Sequence, residues 1–182
     1  WILFIGQHGV HKKIDCLLKA MPAVWEKCPE ARLLIAGGTT GATPELKTRA
    51  AELSGAEAGR IRFIDDFPAG QKSDLYAAAD VFVSLSEHES FGIVLVEAMA
   101  HGVPVVASRN GVAASIVDDH ATGLLVEPRR PADVAAALTA LLTDEAFRAG
   151  YGARAREKAV SVYHPEAIVN QWEELLAGLV RH

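Results

Sequence analysis

The chain alternates short apolar runs with longer segments in which apolar residues recur every three or four positions. The runs at 1–6, 31–36, 60–64, 80–85, 103–107 and 123–126 read as strands. Those that open at Asp80 and Val103 carry almost no polar residue, as central strands of a parallel sheet do. Between them the spacing predicts helices over 12–27, 44–54, 71–78, 92–101, 111–118 and 131–142, and a helical tail over 145–160 and 165–179. Gly37-Gly38, Pro68, Gly102, Pro104, Gly123 and Pro128 punctuate the junctions, and Tyr163-His164-Pro165 breaks the tail. Regular strand–helix alternation implies an α/β fold: a Rossmann-like, doubly wound, mostly parallel sheet with helices on both faces. No internal repeat or low-complexity segment interrupts it.

Composition narrows the function classes. At 182 residues the chain is one domain or a domain with a short appendage, divided here as 1–160 and a helical extension over 161–182. Half of it is hydrophobic, enough for a sizeable core, and the net charge is −5. No basic stripe is visible, which argues against a nucleic-acid surface. The basic clusters are Lys12-Lys13, Arg129-Arg130 and Arg154/Arg156, and the last two are expected on solvated faces. Cys16 and Cys28 are too few for a disulfide framework and fit a reduced, cytosolic setting. There is no apolar run of roughly 18 residues and no signal peptide. The chain opens at Trp1 inside a strand, without an initiator Met, and reads as part of a longer protein.

The candidate chemistry gathers at three loops. In 91–100 the only charged side chain is Glu97, on an otherwise apolar helix that is expected to be buried. An unpartnered carboxylate there costs several kcal/mol, so Glu97 is expected to face a cleft or a polar partner. Glu89 lies at the exit of the preceding strand, the edge where open α/β sheets hold ligands. Ser90, Phe91 and Gly92 offer backbone N–H groups at a helix start, and Gly92 permits close approach. A structural reading stays open in which Glu89 caps the helix and Glu97 pairs with a buried cation. The loop Gly6-Gln7-His8-Gly9-Val10-His11-Lys12-Lys13, between the first strand and helix, is placed for phosphate binding, with a solvated Lys12 as the alternative. Asp65-Asp66-Phe67-Pro68 and Gln71-Lys72 follow the third strand, with an ordinary loop and a capped helix as the alternative to a binding role. The histidines, His8, His11 and His88 among them, show no metal-ligand spacing and are expected at the surface or in supporting roles. Asp118-Asp119 is expected to be a solvated turn.

The stretch E-S-F-G-x-x-x-x-E-A-M-A-x-G-x-P-V-V, with seven residues between Glu89 and Glu97, resembles the signature of retaining glycosyltransferases of the GT-B fold, in particular the glycogen-synthase-like family 4. The resemblance extends from Phe4-Ile5-Gly6 through Ala78-Ala79-Asp80-Val81-Phe82-Val83 to Thr122-Gly123-Leu124-Leu125-Val126-Glu127-Pro128. It implies that residues 1–160 are the C-terminal, donor-binding lobe of a GT-B enzyme taking a nucleoside-diphosphate sugar, with no cofactor and no metal. By resemblance, Gly6, Gln7 and Lys12 hold the diphosphate, Phe67 packs on the base, and Lys72 reaches base or phosphate. Glu89 contacts the donor-sugar hydroxyls, the amides of Ser90, Phe91, Gly92, Ile93 and Val94 hold the distal phosphate, and Glu97 accepts two ribose hydroxyls. Lys12 and Glu89 are then the catalytic pair. The family pattern G-R-x-x-x-x-K-G has Gln7 in place of Arg and Lys13 in place of Gly here, and Ser115 replaces the acid of G-G-x-x-E. The acceptor, a glycan, lipid or small molecule, is expected on a missing N-terminal lobe, onto which the last helix crosses with Trp172, Leu175 and Leu176. Peripheral membrane contact through that lobe, at the inner face of the membrane, is one option within a cytoplasmic setting. A non-catalytic sugar-nucleotide-binding module and a sugar-nucleotide epimerase of related fold remain alternatives. A dinucleotide oxidoreductase is disfavoured, because G-x-G-x-x-G is absent after the first strand.

Overall fold

The computed structural model describes residues 1–55 and 59–180; the last two positions of the 161–182 extension lie outside them. Six strands form one sheet: β1 (Ile2–Ile5), β2 (Leu33–Gly37), β3 (Ile61–Asp65), β4 (Val81–Ser84), β5 (Val105–Ser108) and β6 (Gly123–Val126). Eight α-helices accompany them among the described residues: α1 (Ile14–Lys27), α2 (Thr43–Ser54), α3 (Lys72–Ala77), α4 (Ile93–Ala100), α5 (Ala113–Ile116), α6 (Pro131–Thr143), α7 (Glu145–Tyr163) and α8 (Pro165–Val180). Every predicted strand and helix is present, with ends shifted by a few residues. Each pairing is parallel and the order is β3-β2-β1-β4-β5-β6, so the mostly parallel expectation becomes a wholly parallel sheet.

The period-2 alternation of a strand divides the core into two layers. Ile2 and Phe4 join Leu33, Ile35, Val81 and Val83 against α1, α2 and α6. Leu3 and Ile5 join Phe82 and Val105 against α3, α4, α5 and α7. Ile2, Leu3, Phe4 and Ile5 of β1, Val81, Phe82 and Val83 of β4, and Leu85 just after it are all buried, each contributing about 1.5–3 kcal/mol if fully removed from water. Both faces being covered explains why these strands read as unbroken apolar runs.

Chain order reverses between β1 and β4, where neighbouring strands send their connections to opposite faces. That reversal opens a crevice at the carboxyl edge of the sheet. Gly37, at the end of β2, allows the edge to close: a Cβ there would lie 2.1 Å from Gly6 O. At its far end α7 runs to Tyr163, and α8 packs mainly against it. α8 leaves Val169, Trp172, Leu175 and Leu176 exposed.

Candidate active site

The crevice draws its side chains from four connections. Gly6 and Gln7 leave β1, Asp66 and Phe67 leave β3, Lys72 opens α3, and Val94 sits in the first turn of α4. These residues, with Gly37 and Gly38, surround an open cavity of about 390 Å³. Five predicted donor-site residues (Gly6, Gln7, Phe67, Lys72 and Val94) are thus brought together.

Lys12 and Glu89 meet across the β1/β4 switch, with Lys12 Nζ donating to Glu89 Oε2 at 2.6 Å. Their side chains are only 17% and 20% exposed, so this pair is more than a solvated surface contact. Glu89 does not cap the helix. Gly92 occupies the N-cap position of α4 in left-handed geometry, φ 70°, with no side-chain cap. A Cβ on Gly92 would sit 2.6 Å from Ile116 Cδ1, so both conformation and space call for glycine. Leu95 and Val96 donate back to Gly92 O. Among the described residues the amides of Ser90, Phe91, Gly92, Ile93 and Val94 have no backbone or side-chain acceptor. A row of free N–H groups at a helix start is an anion-binding arrangement.

Glu97 is half-buried and polar-partnered, as expected. Its partners are Lys72 Nζ at 2.5 Å and the phenol of Tyr76, which donates at 2.9 Å; both reach Oε2. Lys72 borders the cavity while Glu97 borders an apolar groove of about 670 Å³ shared with Ser90, Phe91, Ile93, Tyr163 and Trp172. The Lys72–Glu97 pair therefore forms the ridge between the two. Glu97 thus has the cationic partner of the structural alternative, with Lys72 partly rather than fully buried at 28% exposure. Burial and the neighbouring Glu97 carboxylate push the Tyr76 phenol up, keeping it a proton donor.

Several expectations need correction. α4 is not buried all round: Ile93 is 58% exposed and the preceding Phe91 77%, because both border the groove. His8 takes the supporting rather than the surface place of the two expected for the histidines, and is fully buried. Its Nδ1 lies 3.2 Å from Thr43 Oγ1, its ring is edge-on to Phe63, and its backbone O accepts from Thr40 Oγ1. Desolvation holds the His8 pKa below its ordinary value. Asp119 is not a free turn residue: it accepts from Leu125 N–H and pairs with Arg109 at 2.9 Å. Arg129 sits on a solvated face but is bound to Glu87. Lys13 likewise pairs with Glu87, at 2.9 Å. Sequence reasoning missed Tyr76 and Glu87. For Tyr76 one signal was available, the single hydroxyl within the otherwise apolar run Leu75-Tyr76-Ala77-Ala78-Ala79. For Glu87 none was, because its partners are remote in sequence.

A wholly parallel sheet with cation, carboxylates and free amides converging at its switch point defines an open α/β domain with a candidate ligand site at the carboxyl edge of its sheet. The family model for "Glycosyl transferases group 1" matches residues 1–158, and the chain belongs to that family. It is 39% identical over 162 residues to the D-inositol 3-phosphate glycosyltransferase of Corynebacterium glutamicum, covering 87% of this chain and 38% of that protein. The chain thus spans well under half of the length of this curated relative. The fold matches the crystallised C-terminal domain of a glycosyl transferase group 1 protein from Francisella tularensis, with TM-score 0.82, 23% identity, and coverage of 91% and 87% of the two chains. It also matches Anabaena HepE, crystallised with UDP and glucose, with TM-score 0.85, 26% identity, and coverage of 97% and 48%. The architecture is that of the C-terminal lobe of a GT-B glycosyltransferase. Among the described residues there is no group of three or more His, Cys, Asp or Glu placed to hold a metal ion, and no helix long and apolar enough to cross a membrane.

Proposed function

We propose that this chain is the donor-binding half of a retaining, hexosyltransferase-type enzyme. It binds a nucleoside-diphosphate sugar at the β1/β4 switch and, with a second lobe, passes the sugar to a glycan, lipid or small-molecule acceptor. The observation that carries this reading is the Lys12–Glu89 pair spanning the switch beside five free amides. Diphosphate oxygens would take those amides and Lys12 Nζ, releasing Glu89 to accept from a sugar hydroxyl. Positive charge then faces the bond that breaks, and stabilising the departing diphosphate is the main catalytic task. Since Lys12 and the amides supply this charge, the reading calls on no metal. A front-face path, in which the leaving phosphate takes the acceptor's proton, needs no enzyme nucleophile and gives retention.

Phe67 borders the cavity where a base would stack. Glu97 keeps Oε1 free for a ribose hydroxyl, while a second hydroxyl at Oε2 requires Lys72 to yield its place. The UDP in the HepE structure supports a nucleoside diphosphate as ligand, and the inositol phosphate named for the Corynebacterium relative supports a hydroxyl acceptor. The exposed row Trp172, Leu175 and Leu176 supports a contact between α8 and the second lobe. The free thiols of Cys16 and Cys28 support a reducing, cytoplasmic setting.

A non-catalytic binding module is the second reading. It is favoured by neutral Gln7 together with Lys13 being held by Glu87, which leaves one cation fewer for the diphosphate. Calorimetry and thermal shift with UDP-, GDP- and ADP-sugars test the donor site, since a ligand of the folded state raises Tm. Binding of at least one is expected, without transfer by this chain alone. No binding of any at millimolar concentration would sink both readings. Turnover by the full-length protein separates the enzyme from the module.

A further inference from the structure

Glu87 lies outside every role assigned so far, yet three connections meet on it. Its backbone N–H donates to His11 O at 3.0 Å, which ties the loop after β4 to the loop after β1. Its Oε2 takes Lys13 Nζ at 2.9 Å. Its Oε1 takes Arg129 Nε, from the segment after β6. The side chains of Lys13 and Glu87 are 19% and 16% exposed, and Arg129, 72% exposed, closes the cluster toward solvent. The two cations hold the Glu87 carboxyl down at about 2, so the cluster stays charged across any working pH.

Lys13 is also one of three non-glycine residues with positive φ among the described residues, at 54°. That conformation disfavours any residue with a Cβ and persists only where the surroundings hold it. Here Lys13 N–H donates to Val10 O and Lys13 O accepts from the N–H groups of Cys16 and Leu17, while the ion pair to Glu87 pins the side chain. With the backbone turned over at Lys13 and that side chain pinned to Glu87, its neighbour Lys12 is directed to Glu89.

We propose that Glu87 is a positioning residue: through Lys13, Arg129 and His11 O it locks the first loop against the β4–α4 loop and so sets the distance between Lys12 and Glu89. This inference rests on the donor-site reading of that pair. Holding two groups on separate loops at a fixed separation removes freedom that binding would otherwise have to freeze.

The test uses the 182-residue chain and two readouts. The first needs no ligand: acetylation of lysines by an amine-reactive ester, read by mass spectrometry, with exposed Lys19 as internal standard. Glu87→Gln keeps the shape and removes the charge, and it should raise labelling of Lys12 and Lys13 severalfold over Lys19. The second readout is affinity for whichever of UDP, GDP and ADP binds wild type most tightly. Glu87→Gln should weaken it by about tenfold, the scale of coupling between residues in one network. Lys13→Gly in the Glu87→Gln background should recover part of the affinity, because glycine adopts φ 54° unaided; a purely structural role for Glu87 predicts no such rescue. Arg129→Gln should move both readouts in the same direction by less, and serves if Glu87→Gln does not fold. Unchanged Lys12 labelling and unchanged affinity in folded Glu87→Gln overturn the proposal. If wild type binds no nucleoside diphosphate but Lys12 labelling still rises in Glu87→Gln, the clamp stands and the donor-site reading falls.

Discussion

Two lysine–glutamate pairs lie at the carboxyl edge of the sheet, and they are built differently. Lys12–Glu89 joins two loops whose residues are 77 positions apart, and Glu89 has no other donor among the described residues. Lys72–Glu97 joins α3 to α4, and there the buried Tyr76 phenol grips the same carboxylate oxygen as the lysine. When Lys12 turns to a phosphate, Glu89 is freed entirely. When Lys72 moves, Glu97 stays aimed by Tyr76. The first pair is arranged to exchange partners and the second to keep its geometry, which suits one to the reacting end of a donor and the other to its anchoring end.

The sharpest way to break this comparison is Lys12→Met. It removes the only donor on Glu89 and the cation beside the free amides. Nucleoside-diphosphate affinity should fall by roughly 1.5–3 kcal/mol, the scale of a charge-assisted hydrogen bond, as read by calorimetry. Affinity equal to wild type would place the diphosphate elsewhere. The anchoring pair should respond less. Tyr76→Phe should cost about 1 kcal/mol of stability in urea, one buried hydrogen bond. Lys72→Met should leave stability within about 0.5 kcal/mol, as expected for a half-exposed ion pair. A larger loss from Lys72→Met than from Tyr76→Phe would show that the lysine, not the phenol, fixes Glu97.

The smallest effect lies under the first loop and depends on pH. Burial lowers the His8 pKa from the 6.5 of an unfolded histidine, so the unfolded chain takes up a proton first. The stability from neutral His8 is therefore present above pH 6.5 and lost as pH falls through the lowered folded pKa. Glu87 and Asp119 are held below their ordinary carboxylate values, and their contribution is lost only at more acidic pH. Melting curves should show Tm starting to fall below pH 6.5, and His8→Gln should remove this onset while leaving the more acidic decline from the carboxylates. A decline unaffected by His8→Gln would assign the whole of it to carboxylates.

What could be read in the sequence and what could not divides along the range of the interactions. The strands and helices were legible because each is set by local periodicity: β4 by Val81-Phe82-Val83, α1 by its recurring Leu17, Leu18, Met21 and Val24. Their place in the crevice followed from the edge rule for parallel sheets. The partners of the charges were not legible, because Lys12 finds Glu89, and Lys13 finds Glu87, only after the loops are folded together. Nor was the burial of His8, which depends on Thr43 of α2 and Phe63 of β3. Composition suggests a surface histidine; the fold supplies the hydroxyl that lets it be inside.

The outward face of α8 makes the chain its own optical reporter. Trp172 is 59% exposed there, among Val169, Leu175 and Leu176, whereas Trp25 is buried against α1's own core. An indole in water emits at longer wavelength than one in an apolar contact, so whatever covers this strip, a second lobe or a second copy, shifts Trp172 emission to the blue. Steady-state fluorescence, with Trp172→Phe as the blank, then follows assembly without any label.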